Sequence, residues 1–281
     1  MSKFENNKTR KNLEDLTMMD DDFMCLMFNG DSKLTEYVLR TVVEKKLHVV
    51  NVEVQRQIFN GVKRRIILDI LAVDDEGKHY NIEIQKSNEG ANPKRARYHS
   101  SRLDSTMLEK GEYFDELEDN FVIFFTENDT FGGDLPIYHV KRVILELDNK
   151  PVEDGTEIIY VNCAYLKKHP IPSSELEKLI HDFQCKDVDE LYSDEIRERM
   201  IDVREDGVTT MSEWAENIYD EAMNQGITQG IIQGSNQEKM SVIQNFLSLN
   251  ISLKVEDLSK LVGLPIDKVN EMIKEVKEKQ D

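Results

Sequence analysis

The chain has 281 residues, 39% hydrophobic and 32% charged, a composition that suits a packed core under a charged surface and excludes wholesale disorder. Its formal net charge of −19 argues against general nucleic-acid affinity. No apolar run approaches the ~20 residues that span a bilayer, so no membrane-spanning helix is expected.

The polar start MSKFENNKTRKNLEDL lacks the apolar stretch of a signal peptide. Cys25, Cys163 and Cys185 are odd in number and widely spaced, with no C-x-x-C pair. Buried free thiols and a cytoplasmic location are therefore expected, rather than disulfides or zinc. The charge is unevenly spread. Residues 1–44 sum to −3, residues 45–110 to +4 and residues 111–281 to −20. A polyanion could be received in the middle segment while the rest repels it.

In chain order, residues 1–19 are expected to be a flexible terminus. Asp31 or Ser32 can cap a helix running to about Lys46, with Leu34, Val38 and Val42 at helical spacing. Three strand patterns follow: HVVNVEVQRQI at 48–58, KRRIILDILAV at 63–73 and HYNIEIQK at 79–86. The polar DDEGK turn at 74–78 makes the last two a hairpin. After a loop at 87–93, Asn92 and Pro93 fit the N-cap and first position of a helix that stops at Gly111. Residues 120–128 read as a buried strand, and 138–147 and 157–166 as two more. From residue 173 the pattern is helical and acidic. Gly226, Gly230 and Gly234 stand four apart, which implies close backbone packing or a poor helix. Helices are expected around Val242–Leu249, Lys254–Val262 and Pro265–Lys277.

The hairpin carries the chemistry. If the turn is 74–78, Val73 pairs with His79 and Asp69 lies opposite Glu83; a shift of two places Asp69 opposite Gln85. In either register Asp69, Glu83 and Gln85 share one face. Two like charges so placed repel, and Asp69 sits in an apolar run, Ile66–Leu71, where an unpaired carboxylate is costly. A basic side chain, a raised pKa or a divalent cation could relieve it. Mg²⁺ accepts a few carboxylate oxygens with water and phosphate, and a bound cation can activate water for attack on a phosphodiester. Gln85 could then hold that water. An ordinary half-exposed hairpin would also alternate polar residues, so the carboxylate within the apolar run is the distinguishing feature.

KRRIILD, then NIEIQ in the next strand, then the basic helix NPKRARYHSSRLDS, resembles the PD-(D/E)XK nuclease superfamily. With KGEYFDEL, VIFFTENDTFGGDLPIY and EIIYVN, the chain is similar more narrowly to the Rpn-type recombination-promoting nucleases, a bacterial transposase branch of that fold, over roughly residues 20–235. The resemblance implies an α/β nuclease-like mixed sheet flanked by helices at 20–166. An acidic helical segment at 167–235 and a small helical unit at 236–281 follow. It implies a Mg²⁺- or Mn²⁺-dependent DNA endonuclease, linked to recombination or mobile elements. Asp69 and Glu83 would be metal ligands, and Gln85 would stand where the motif lysine usually does. Relatives with glutamine there are held to cleave DNA. The superfamily often adds an acid from the first helix, for which Glu36 and Glu44 are candidates.

On the 94–102 helix, Arg95, His99 and Arg102 share a face by i, i+4, i+7 spacing. Arg95, Arg97 and Arg102 are candidate DNA-phosphate contacts, and Arg95 or Arg97 could reach back to the site. His99 as a general base is a lesser candidate. The C-terminal LKVEDLSKLVGLPIDKVNEMIK has the rhythm of a helix-turn-helix, but Asp267 and Glu271 offset Lys268 and Lys274, which favours a protein contact. A competing reading keeps the fold without catalysis, favoured by the missing lysine and the acidity. A third makes the C-terminal half a homo-oligomerisation module.

Overall fold

The chain is described by a computed structural model over residues 13–58, 66–86, 90–108, 111–205, 239, 241–244 and 254–278. The glycine tetrads and most of 242–249 lie outside these residues.

The expected hairpin forms. Strand β1 (Val49–Ile58) pairs antiparallel with β2 (Ile66–Asp74), and β2 with β3 (His79–Gln85). The turn closes on Asp74, whose Oδ1 accepts from Glu76 N and Lys78 N at 3.0 and 2.9 Å. Gly77 supplies the φ of +83° that the chain reversal needs. Ile70 faces Ile82 and Val73 faces His79, so the first of the two registers is the one adopted.

After β3 the chain crosses through helix α3 (Pro93–Met107) to β4 (Asn120–Thr126), parallel to β3. Asn92 caps α3, its side chain accepting from Lys94 N at 2.8 Å, and Pro93 opens it. The helix ends at Met107, one turn before Gly111. Next come β5 (Ile137–Val140), the small pair β6 (Val143–Ile144) and β7 (Lys150–Pro151), and β8 (Thr156–Asn162). The single strand expected at 138–147 is thus broken. Only β5 finds a partner in the main sheet, β8, and the chain leaves the sheet edge at Lys141 and Arg142. The mixed sheet runs β1-β2-β3-β4-β8-β5, with β3, β4 and β8 parallel. It is the α/β sheet with flanking helices that the sequence led us to expect.

Alternation along the strands separates two apolar layers. Ile70, Ile82, Ile123 and Val161 face helices α1 (Asp21–Phe28), α2 (Ser32–Val43), α4 (Glu175–Gln184) and α5 (Asp194–Glu205). Leu71, Val122, Phe124 and Tyr160 face Ala96 and Leu103 of α3. The packed structure begins before residue 20, because Leu16, Met18 and Met19 are buried in the first layer; residues 1–12 lie outside those described. Helix α1 was not foreseen as an element. Phe23 to Phe28 are buried all round, so its sequence has no amphipathic period to read. All three cysteines are buried and unpaired.

The chain divides into two compact units, Met1–Trp214 and Ala215–Asp281. In the second, α6 (Val255–Val262) and α7 (Ile266–Glu278) enclose Leu258, Val262 and Val269. Gly263 ends α6 at φ +64°. Among the described residues no helix is long and apolar enough to cross a membrane.

Candidate active site

The β2–β3 ladder stops at Ile70–Ile82, and one residue further on the two carboxylates take over from backbone pairing. Asp69 N donates to Glu83 Oε1 at 3.3 Å, and Ile84 N donates to Asp69 Oδ2 at 3.1 Å. On the other side of Asp69, Gln55 interrupts β1 between the paired Val54 and Arg56, with φ +54°, a conformation side chains adopt at a cost. Strand pairing therefore loosens on both flanks of Asp69.

Glu83 is fully buried and its charge is met by α3. Arg95 Nη2 stands 2.9 Å from Glu83 Oε2, and His99 Nδ1 stands 3.2 Å from Oε1. Arg95 Nε donates to His99 Nε2 at 3.3 Å, which leaves the ring proton on Nδ1, directed at Glu83 Oε1. The guanidinium also donates to Gly90 O at 3.2 Å and lies 5.9 Å from the Phe124 ring centre.

Among the described residues Asp69 has no such ion-pair partner. Burial, and then the neighbouring Glu83 carboxylate, push its pKa up to about 8, against a lowering by the Ile84 N–H and Arg95. A basic side chain thus relieves Glu83, and burial beside Glu83 raises the pKa of Asp69. Cys25, beside Gln55, is pushed up to about 12 by burial, which makes it a poor nucleophile.

Gln85, half-buried at the end of β3, packs against Gly90. A Cβ on Gly90 would fall 1.6 Å from Gln85 Oε1 and 3.4 Å from Arg95 Nη1. Asp69, Glu83, Gln85 and Arg95 are thus brought to one place. Lys86 is not at that face; its Nζ is held by Asp20 Oδ1 at 2.6 Å.

Other candidates lie elsewhere. Arg97 is exposed on the far side of α3. Arg102 is buried, with Nε lacking a partner. Arg102, and His99 with it, therefore faces the sheet rather than solvent, which does not fit the expected phosphate contact of Arg102, while Arg95 remains about a third exposed. Glu36 is committed to His48 Nδ1, Val49 N and Arg40 Nη2 at 2.8, 2.9 and 2.6 Å, near Val49, which pairs with Asp74 at the turn end of β2. Glu44 is an exposed left-handed residue ending α2. Neither reaches Asp69. The acid that does act on Asp69 is Asp21, at the start of the unforeseen α1. Its own pKa is raised by desolvation, opposed by Lys86 and reinforced by Asp22 and Asp20. The DDD run at 20–22 was its only signal, and nothing in that run says it folds over the hairpin. Among the described residues no group of three or more His, Cys, Asp or Glu is arranged to hold a metal.

A mixed sheet with an acid within one hairpin strand, E-x-Q on the next and a basic crossover helix defines a nuclease-like α/β class. Residues 31–226 match the PD-(D/E)XK nuclease family transposase description, and the chain belongs to that family. Neither the curated proteins nor the solved structures offer a match.

Proposed function

We propose that the protein is a divalent-cation-dependent DNA endonuclease with Asp69, Glu83 and Gln85 at its centre. The observation that carries this reading is the Asp69–Glu83 pair, Glu83 buried and Asp69 half-buried, interlocked through Asp69 N and Ile84 N. Among the described residues no basic side chain forms an ion pair with Asp69, Arg95 being paired with Glu83, which suits a hard ion bound by few protein oxygens and completed by water. Asp69 and Glu83 would hold Mg²⁺ or Mn²⁺, with Asp21 near enough to add to the negative field. When bound, the ion supplies Lewis acidity and lowers the pKa of coordinated water.

The chain's own groups do the rest. Gln85 offers an amide oxygen that can accept a hydrogen bond from water and an NH₂ that can donate one, so it can orient a nucleophile without charge. Arg95 brings positive charge to the place the motif lysine would serve. Exposed Arg97 and Lys94 on α3 offer contacts to flanking phosphates. Family membership supports nuclease chemistry and DNA as partner. A role in recombination or in mobile elements is the corresponding cellular proposal.

The test is nicking of supercoiled plasmid by the full chain with Mg²⁺ or Mn²⁺ and with chelator. Cleavage that needs the metal and disappears in Asp69→Ala and Glu83→Ala is expected. DNA binding of wild type and both variants alike, with no cleavage by any, would leave the competing reading, a non-catalytic binding protein. Gln85 in the lysine position and the Arg95–Glu83 ion pair are the observations that favour that alternative.

A further inference from the structure

We infer that Arg95 is a displaceable counter-ion: it occupies Glu83 in the metal-free protein, and a divalent cation drives it off Glu83 toward the scissile phosphate. The inference rests on the proposed metal site and deepens it.

Glu83 has two oxygens and about four lone-pair directions. Oε1 already takes Asp69 N and faces His99 Nδ1, and Oε2 takes Arg95 Nη2. A cation shared by Asp69 and Glu83 would compete with the guanidinium for that carboxylate, and two cations at such a separation repel. Arg95 is built to yield. Its side chain is about a third exposed, while Glu83 is fully buried. Its other holds, Gly90 O and His99 Nε2, are neutral acceptors at 3.2 and 3.3 Å. His99 itself is nearly fully buried, so the anchor stays when the guanidinium moves. A released guanidinium keeps its charge and its forked donors, which suit a phosphate. Arg95 thereby fills both roles of the absent lysine at different times: balancing charge in the resting protein and meeting phosphate in the reacting one.

The consequence is an apparent metal affinity reduced by the share of molecules in which Arg95 sits on Glu83. Mn²⁺ binding is measured calorimetrically on the full chain and on Arg95→Ala, Arg95→Gln, Asp69→Ala and Glu83→Gln, beside plasmid nicking and metal-free thermal melts. Arg95→Ala and Arg95→Gln should bind Mn²⁺ about threefold or more tightly than wild type. They should also nick DNA about a hundredfold more slowly, the scale of losing one transition-state donor. Arg95→Gln retains a hydrogen-bond donor for Glu83 and guards against a folding defect in Arg95→Ala. Binding by both variants that equals or falls below wild type, while wild type still exceeds Asp69→Ala, overturns the displacement and leaves the metal site standing. Wild type that binds no better than Asp69→Ala removes the metal site and this inference together.

Discussion

Gly90 has room for a hydrogen and nothing larger on the side facing Gln85, since an added methyl would overlap Gln85 Oε1 at 1.6 Å. The obstacle is the far end of a flexible side chain, so Gly90→Ala should fold, with a stability loss under about 1 kcal/mol, by turning the Gln85 amide away. If Gln85 orients the nucleophile, that turn should slow nicking about tenfold or more with Mn²⁺ affinity little changed. Unaltered cleavage would remove Gln85 from the reaction. Asp69 gives a second prediction. Its pKa is raised to about 8, so between pH ~4 and ~8 the folded chain holds a proton that the unfolded chain has released. This contribution to stability is present at the acid end, falls as pH rises and is gone above about 8. Asp69→Asn keeps an acceptor for Ile84 N and removes the titration. Urea denaturation in chelator should find the variant ahead of wild type by roughly 1–3 kcal/mol at pH 8.5 and by much less at pH 5. An advantage independent of pH would mean that Asp69 is not the group responsible.

Among the elements, α3 separates what spacing can tell from what it cannot. Its start was readable because Asn92 and Pro93 are local signals that act through their own backbone. The hairpin was readable because a turn of fixed length narrows the register to two choices, in both of which Asp69, Glu83 and Gln85 share a face; the structure adopts the first of them. Spacing also put Arg95, His99 and Arg102 on one face, but it carries no information on which layer that face meets. The stripe turns inward because Ala96 and Leu103 draw it onto Val122 and Phe124, and only Arg95, nearest the open end of the sheet, keeps partial access to solvent. The first-helix acid was missed for the opposite reason. An eight-residue segment buried on nearly every side shows no helical period, so Asp21 could not be placed. The face of α3 makes a clean comparison by DNA titration at several salt concentrations. Arg97→Ala should weaken binding and reduce the salt slope by about one, as expected for one lost phosphate contact. Arg102→Met should leave the slope unchanged. Equal effects of the two would mean that α3 opens when DNA binds.

For the molecule as a whole, the layer behind the site is completed by chain that comes long after it. Leu179, Ile180 and Phe183 of α4 and Ile196, Met200 and Val203 of α5 lie in the same apolar layer as α1, α2 and the back of the sheet. Phe183 stacks on Phe125 of β4 with ring centres 4.0 Å apart. Arg199 of α5 ties down the end of α1, donating to Leu26 O and Met27 O at 2.8 Å and to Asn29 O at 3.1 Å. Burying six such side chains at about 1.5–3 kcal/mol each is worth on the order of 10 kcal/mol, as much as the entire net stability of an ordinary domain. A chain ending at residue 170 retains every strand and every candidate site residue, yet it should not fold: heating should give no cooperative transition, and hydrophobic dye should bind from the start. A chain ending at residue 205 should melt cooperatively. Because α1 carries Asp21 and packs against α5, the shorter chain should also lose Mn²⁺ binding, although its truncation lies a hundred residues beyond Asp69. A cooperative melt of the 170-residue chain within a few degrees of the 205-residue one would show that the sheet and α1–α3 are self-sufficient and that α4 and α5 are only accessory cover.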